Sequence, residues 1–372
     1  MAARSAREGS ATVGRIIREY RRVRGITQKQ FAGALGVEAR TLRMYENGER
    51  ELENISDLRR IADLLAIDPV ELGLAARTPA ASPQQLYATV EQVAALLLQT
   101  RLSEARATLE ELLRDLRRPG EHDDPAFLRA LASVHCMAGH VQSLTSKTSE
   151  CAQMIQQYQE TARLARELDD QSLLALGLAY HGEMLRRRGE VARAFAMLEK
   201  ARSECPHASL AARGTIALLL GRAHLARREY SSFQRQLECA AELAREVAQP
   251  AEEALASLSP GVVYAEYARG YALSGQLELC QSYLNQAEEH LPACNFWSLQ
   301  LKATRAEALV HANDVATALS LLIEVAHQAQ RCGYQLLIER LYRLQYFLED
   351  QISLLRQASR SLGEALYGPI EP

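Results

Sequence analysis

Apolar residues along this 372-residue chain fall in two rhythms. From Val13 to Leu74 they come in short bursts at helical spacing, broken at close intervals by turn signals. Phe31, Ala32 and Leu35 share one face of a short helix. Thr27 stands at its N-terminus, and Gln30 three residues on completes a capping box, in which each side chain satisfies a backbone N–H left over at the helix end. Gly36 ends the helix, because glycine enters the left-handed conformation of a tight turn without steric cost. A second short helix follows, with Leu42 and Tyr45 inward and Ala39, Arg40, Arg43 and Met44 outward, and Gly48 closes it. The pattern predicts five short helices over residues 13–74, the second and third forming a helix-turn-helix that exposes arginine side chains.

A slower rhythm runs from about Ser82 to Leu366. Ala, Leu, Glu, Arg and Gln dominate, strand signals are nearly absent, and the pattern recurs at a period of about 34 to 45 residues. The clearest unit carries Leu178, Gly182 and Leu185, then Gly189, then Val191, Ala194, Leu198 and Ala201. Similar units run from Tyr264 through Gly275 to Ala287 and from Ala306 through Asn313 to Val325. In each, a small residue midway along the first helix admits the second, Gly or Asn makes the turn, and small residues on the second helix accept the next unit. Weaker copies cover Leu86 to Leu116, Ala126 to Leu168, Ala211 to Ala244 and Leu336 to Leu366. The second of these has a polar insertion around Ser143 to Ser149, and the third places Phe233 where a small residue is expected. The chain is therefore predicted to be all-α. It reads as a flexible basic tail over 1–12, the head over 13–74, a linker over 75–83 marked by Pro79 and Pro83, and six or seven helix pairs over 84–372. A non-repeating helical bundle is the alternative to the repeats.

The head resembles the DNA-binding domains of phage-repressor (Xre or Cro) type. The likeness spans Val13 to Arg21, the Thr27-Gln28 start of the second helix, Tyr45-Glu46-Asn47-Gly48, a fourth helix from Ile55 to Leu65, and a closing segment from Ile67 to Leu72. It implies double-stranded DNA as a partner and assigns roles by position. Arg21 and Glu46 fall on the pair that ties the first helix to the third. Glu38, Ala39 and Arg40 are the first outward positions of the recognition helix, and Met44 is a further base-reading position. Arg40 is the candidate for a bidentate contact to guanine; Arg43 reaches a base or a phosphate. Gln28, with Lys29 beside it, sits at a helix N-terminus, where free amides and the helix dipole favour a phosphate. Asn47 falls on a backbone-contacting loop position, and Arg18 belongs to a basic first helix that follows the phosphates. Glu38 departs from the family, which has a small hydroxyl residue there. It faces phosphates or accepts a hydrogen bond from cytosine. A solvated face is the alternative reading of Arg40 and Arg43.

The remaining chain resembles the tetratricopeptide repeat, in which helix pairs stack into a right-handed superhelix. Head and repeats together resemble the peptide-responsive regulators of Gram-positive bacteria. That resemblance implies a homodimeric transcriptional regulator whose concave face holds a signalling peptide. The repeat register places Arg129, Ser133, Glu183, Arg186, Arg222, Arg269 and Glu307 on that face. Arginines in one groove suit a carboxylate, because the planar guanidinium donates two parallel bonds; the expected effector is a peptide or a small anion. Those relatives grip peptide amides with asparagines, however, and none of this chain's five asparagines falls on a predicted concave position. A solvated inner face is thus a second reading of the arginines. The competing functional class is a scaffold whose repeats recruit a protein partner while the head tethers it to DNA.

Charge fits this division. Residues 1–77 carry a net charge of +3 and the remainder −6, so basic character is confined to the first part. No apolar run approaches a membrane span and no signal-peptide pattern is present, which points to a cytoplasmic protein without a membrane partner. Seven cysteines without a Cys-x-x-Cys pair suggest small core residues rather than disulfides or zinc ligands, with Cys205 and Cys294 placed in loops. No phosphate-binding glycine loop, Gly-x-Ser-x-Gly motif or histidine metal spacing occurs, so no catalytic residue, metal or cofactor is expected.

Overall fold

The computed structural model describes residues 14–50, 55–65, 67, 82–116, 124–247, 255–256 and 258–367. They divide into two compact units, Met1–Ala81 and Ser82–Pro372. The described residues contain helices, turns and no strand.

In the first unit, helix α1 covers residues 14–23 and is followed by α2 (Gln28–Leu35), α3 (Ala39–Glu46) and α4 (Ile55–Leu65). Ile17, Phe31, Ala32, Leu42, Ile61, Ala62 and Leu65 meet in one core, to which Ile67 adds. The capping box is formed: Thr27 N–H donates to Gln30 Oε1 at 3.0 Å, and Gln30 N–H to Thr27 Oγ1 at 3.3 Å. Gly36 takes φ 70°, and its N–H turns back to the carbonyls of Ala32 and Gly33. The approach of α1 to α3 depends on Gly14, where a Cβ would lie 2.2 Å from the Tyr45 carbonyl oxygen. Ala39 departs from expectation. It is half-buried against the core, because the turn Gly36–Glu38 is too short to lift the start of α3 clear. The expected fifth helix falls on residues 68–72, outside the described residues.

The second unit is a row of helix pairs. These are α5 (Pro83–Leu98) with α6 (Leu102–Leu116), α7 (Pro125–Thr145) with α8 (Cys151–Glu167), and α9 (Gln171–Arg187) with α10 (Val191–Glu204). Then come α11 (Leu210–Ala226) with α12 (Tyr230–Glu246), α13 (Pro260–Leu273) with α14 (Leu277–His290), and α15 (Asn295–His311) with α16 (Val315–Cys332). Pro83, assigned to the linker by composition, is instead the first residue of α5, capped by Ser82; proline suits that position because its missing N–H has no partner there in any helix. The insertion at Ser143–Ser149 becomes the end of α7 and a 3-10 turn at Thr148–Glu150.

Within five of the six pairs, one residue in the left-handed conformation makes the turn: Thr100, Gly189, Arg228, Gly275 and Asn313, all with φ between 59° and 82°. Midway along the first helices, Gly182 faces Leu198 and Gly221 faces Leu237 across gaps that a Cβ would fill. Phe233, the oversized residue in the pattern, is fully accommodated. Gly270 on the next pair leaves space for its ring, where a Cβ would lie 2.4 Å from the aromatic carbons.

The last copy differs from expectation. Leu336 to Leu366 is not a helix pair but part of one 33-residue helix, α17 (Gln335–Tyr367). The cause is local: no Gly, Pro or Asn stands between Gln335 and Leu362 to stop it.

The row also closes on itself. α7 packs against α17 and α5 against α15. Leu102 of α6 shares a core with Leu299, Ala303, Val325, Tyr334 and Leu337, joined by Leu97 and Leu144. Thr148 donates to the Glu339 carboxylate through its backbone N–H at 2.7 Å and its hydroxyl at 2.5 Å. The first helices of the pairs therefore surround a common interior.

Candidate nucleic-acid interface and effector cavity

The recognition geometry of the head starts from a buried carboxylate. Glu46, at the end of α3, accepts from Arg21 Nε at 2.6 Å and Nη2 at 3.2 Å, and from Gln28 Nε2 at 2.7 Å. Burial alone would raise its pKa; the hydrogen bonds from Arg21 and Gln28 outweigh burial and hold it below the ordinary glutamate range. Arg21 also reaches the Ile26 carbonyl at 2.6 Å, so α1, α2 and α3 are locked through one ion pair. Arg18 donates to the Glu46 carbonyl at 2.7 Å and to Asn47 Oδ1. With α3 fixed by Leu42 and Glu46 on its inner side, Arg40 and Arg43 are left exposed and Met44 half-exposed. Glu38 is exposed ahead of them and its side chain caps nothing, while Lys29 is exposed on α2. Gln28 is half-buried and already engaged by Glu46, which places its amide at the α2 N-terminus with a set orientation.

In the repeat unit the ring interior holds a cavity of about 670 Å³. Six arginines line it: Arg186 and Arg187 of α9, Arg222 of α11, Arg269 of α13, and Arg340 and Arg343 of α17. Three glutamates alternate with them. Arg186 grips Glu183 with two bonds of 2.7 Å. Arg222 lies 3.6 Å from Glu183 and bonds Glu266 on α13. Arg269 stands 3.8 Å from the other Glu266 oxygen. Arg340 bonds Glu307 and, at 3.0 Å, Thr304 on α15. The result is a ladder of charges across α9, α11, α13, α15 and α17, to which Glu339 of α17 adds a further carboxylate acting on Arg343. Burial, together with the neighbouring arginines, lowers the Arg269 pKa to about 10, and Arg343 is lowered for the same reasons. The Glu183 carboxyl goes to about 2, since Arg186 and Arg222 overcome its desolvation.

Several arginine donors remain unused. Nε and Nη2 of Arg187, Nε of Arg222 and Nε of Arg269 are buried and meet no hydrogen-bond acceptor, and Glu266 Oε2 is likewise buried without a hydrogen bond; Arg187 is held through Nη1 to the Ser143 carbonyl at 2.8 Å. One part of the wall is apolar, with Leu97 and Leu144, Phe296 and Trp297, and Leu336 and Leu337 at the closure of the ring. Residues 255 and 256 are tied to the helices around the interior: His140 and Tyr180 both bond the Leu255 carbonyl, at 2.9 and 2.7 Å, and Thr215 bonds the Ala256 carbonyl at 2.6 Å.

Of the residues expected on the concave face, Glu183, Arg186, Arg222 and Arg269 line the cavity and Glu307 joins their ladder. Arg129 does not line it. It stands near the start of α7, exposed, paired with Asp170 at 3.0 Å. Ser133 is buried, spending its hydroxyl on the Arg129 carbonyl. Arg187, Arg340, Arg343 and Trp297 also line the cavity, at positions the repeat register does not mark. A visible signal was the Glu-x-x-Arg spacing shared by 183–186 and 266–269, which marks the inner face of two first helices; α17 was hidden by its reading as a pair. Cys205, placed in a loop by sequence, is buried, whereas Cys239 is exposed. No helix among the described residues is long and apolar enough to cross a membrane.

Residues 12–75 match the family model described as a helix-turn-helix domain. No curated protein matches the chain. Among solved structures, the Bacillus thuringiensis PlcR complex with the peptide PapR7 and DNA is 14% identical with a TM-score of 0.41, the alignment covering 80% of this chain and 99% of PlcR. ComR from Streptococcus suis is 15% identical with a TM-score of 0.26, over 67% of this chain and 94% of ComR.

Proposed function

We propose that this chain, a DNA-binding transcriptional regulator by its helix-turn-helix head, works as a homodimer whose repeat ring takes an effector, either a peptide or a small anion. The observation that carries the DNA reading is the face of α3. Leu42 and Glu46 anchor the helix while Arg40 and Arg43 point away from the core, flanked by Lys29, Asn47 and Arg18. An anchored helix with outward arginines is suited to guanine edges in the major groove. The head is only modestly basic, so two heads on paired half-sites supply the affinity that one lacks. A surface for pairing is available on α17, whose residues 351–362 are all exposed and include Ile352, Leu355 and Leu362 at helical spacing.

A footprint on the DNA upstream of the chain's own gene tests the reading. Two protected half-sites about one helical turn apart, or a multiple of it, are expected. Arg40→Ala is expected to weaken that site by about 1–3 kcal/mol and to relax one base position while leaving thermal stability unchanged. Leu355→Glu is expected to yield monomers in sedimentation. No protection at low salt would overturn the DNA reading, and an unaltered dimer with Leu355→Glu would move the pairing surface elsewhere.

A further inference from the structure

We propose that the ring interior binds a compact amphiphilic organic anion, its acidic head held by the free donors of Arg187, Arg222 and Arg269 and its apolar body lodged against Phe296, Trp297 and Leu337. This rests on the reading of the ring as an effector site and names the class of effector. Three features carry it. First, the arginines outnumber the carboxylates beside them: six line the cavity, while Glu183, Glu266 and Glu307 are each already bonded to one of them and Glu339 acts on Arg343. Buried cations in excess are stabilised by an anion brought from outside. Second, guanidinium N–H groups on α9, α11 and α13 are buried with no acceptor, and a carboxylate, sulfonate or phosphate oxygen has the complementary chemistry. The Arg269 pKa is lowered to about 10 chiefly by burial, with Arg340, Arg222 and Arg186 adding to it.

Third, size and wall chemistry restrict the occupant. A volume of about 670 Å³ lies within the roughly 300–1,000 Å³ range of small-molecule sites. The contacts of α17 with α7 and of α15 with α5 bring the ends of the row together, so the interior is a partly enclosed cavity that a compact ligand fills. Leu97, Leu144, Phe296, Trp297 and Leu337 give one part of it an apolar surface that a small inorganic anion would leave unused.

The chain's single tryptophan is part of this wall, and it supplies the test. The full chain is titrated with 8-anilinonaphthalene-1-sulfonate and, separately, with N-phenyl-1-naphthylamine, which has the same rings without the sulfonate. Excitation of Trp297 is expected to give sensitised dye emission that saturates at one dye per chain. The sulfonate is expected to bind at least about tenfold more tightly than the neutral dye, the size of one or more charge-assisted hydrogen bonds. Arg187→Gln and Arg269→Gln, checked for unchanged melting, are expected to remove about that factor for the sulfonate and to leave the neutral dye unaffected. Decanoate is expected to displace the sulfonate and decanol is not. Equal affinity for the two dyes in the unsubstituted chain overturns the proposal even if the variants fail to fold. So does displacement by decanol as effective as by decanoate. The footprint experiment is independent: a symmetric footprint with no sulfonate preference sinks the ligand class alone, and sulfonate selectivity without a footprint sinks the regulator alone.

Discussion

At the scale of single residues, Glu46 decides more than any exposed arginine. Its carboxylate collects Arg21 and Gln28, and removing either end of the Arg21 pair strands a buried charge. Arg21→Ala or Glu46→Ala is expected to lower the stability of the head by about 3–5 kcal/mol, measured by chemical denaturation, whatever the DNA sequence tested. Because the folded Glu46 pKa lies below the ordinary value of 4.5, this stabilisation is complete above that pH and fades as the pH falls beneath it. Gln28 sits in the same network, so Gln28→Ala is expected to lower melting temperature as well as general DNA affinity. A Gln28→Ala head with unchanged melting would show that the bond to Glu46 contributes nothing net. The Arg21–Glu46 pair was legible as a motif in the sequence. The third partner was not, because Gln28 read equally well as a phosphate contact and nothing in spacing alone chooses between a carboxylate within the head and a phosphate outside it.

At the scale of elements, turns and close approaches reveal which signals a sequence carries faithfully. Gly189, Gly275 and Asn313 announced the turns within their pairs, and each adopts the left-handed conformation. Arg228 and Thr100 adopt the same conformation without announcing it, since neither is a residue that prefers it. Gly189→Ala, with open space around its Cβ, is expected to destabilise by about 1–2 kcal/mol through backbone strain alone, whereas Arg228→Gly is expected to raise the melting temperature. A second case concerns the complementary sizes of Phe233 and Gly270. Gly270→Ala forces the Phe233 ring aside and is expected to cost about 1–3 kcal/mol by overpacking. Phe233→Leu in the same chain is expected to recover part of that loss, and a double-mutant cycle reads the coupling. Additive losses would mean that the two residues do not share their space. Phe233 looked like a fault in the repeat because the compensating glycine lies on another helix pair, beyond the window in which one unit is compared with the next.

At the scale of the whole repeat unit, long-range closure and the inner charge ladder were the least legible features. Thr148 and Glu339 are 191 positions apart, and no local pattern brings them together. The ladder was visible only as scattered arginines and glutamates whose facing direction depends on the register of five helices. Its consequence is acid sensitivity, and the sign follows from two groups. Glu183 has a folded pKa of about 2 against an ordinary value of 4.5, so its contribution is complete above 4.5 and is lost as pH falls toward 2. His140, buried between Tyr158 and Tyr180 with the Leu255 carbonyl as partner, has a folded pKa of about 4 against 6.5. It must remain neutral in the fold, so its contribution is complete above 6.5 and is lost as pH falls toward 4. Both act in the same direction, and the repeat unit is expected to lose stability continuously from about pH 6.5 downward, first through His140 and then through Glu183. Glu183→Gln separates them. At neutral pH it is expected to melt lower than the unsubstituted chain, because Arg186 and Arg222 lose their shared carboxylate. Between pH 4.5 and 3 its melting temperature is expected to fall less steeply, because the titrating group is gone. Circular dichroism melts of both chains across pH 7 to 3 would read the difference, and parallel curves would remove Glu183 as the source of the steeper acid limb.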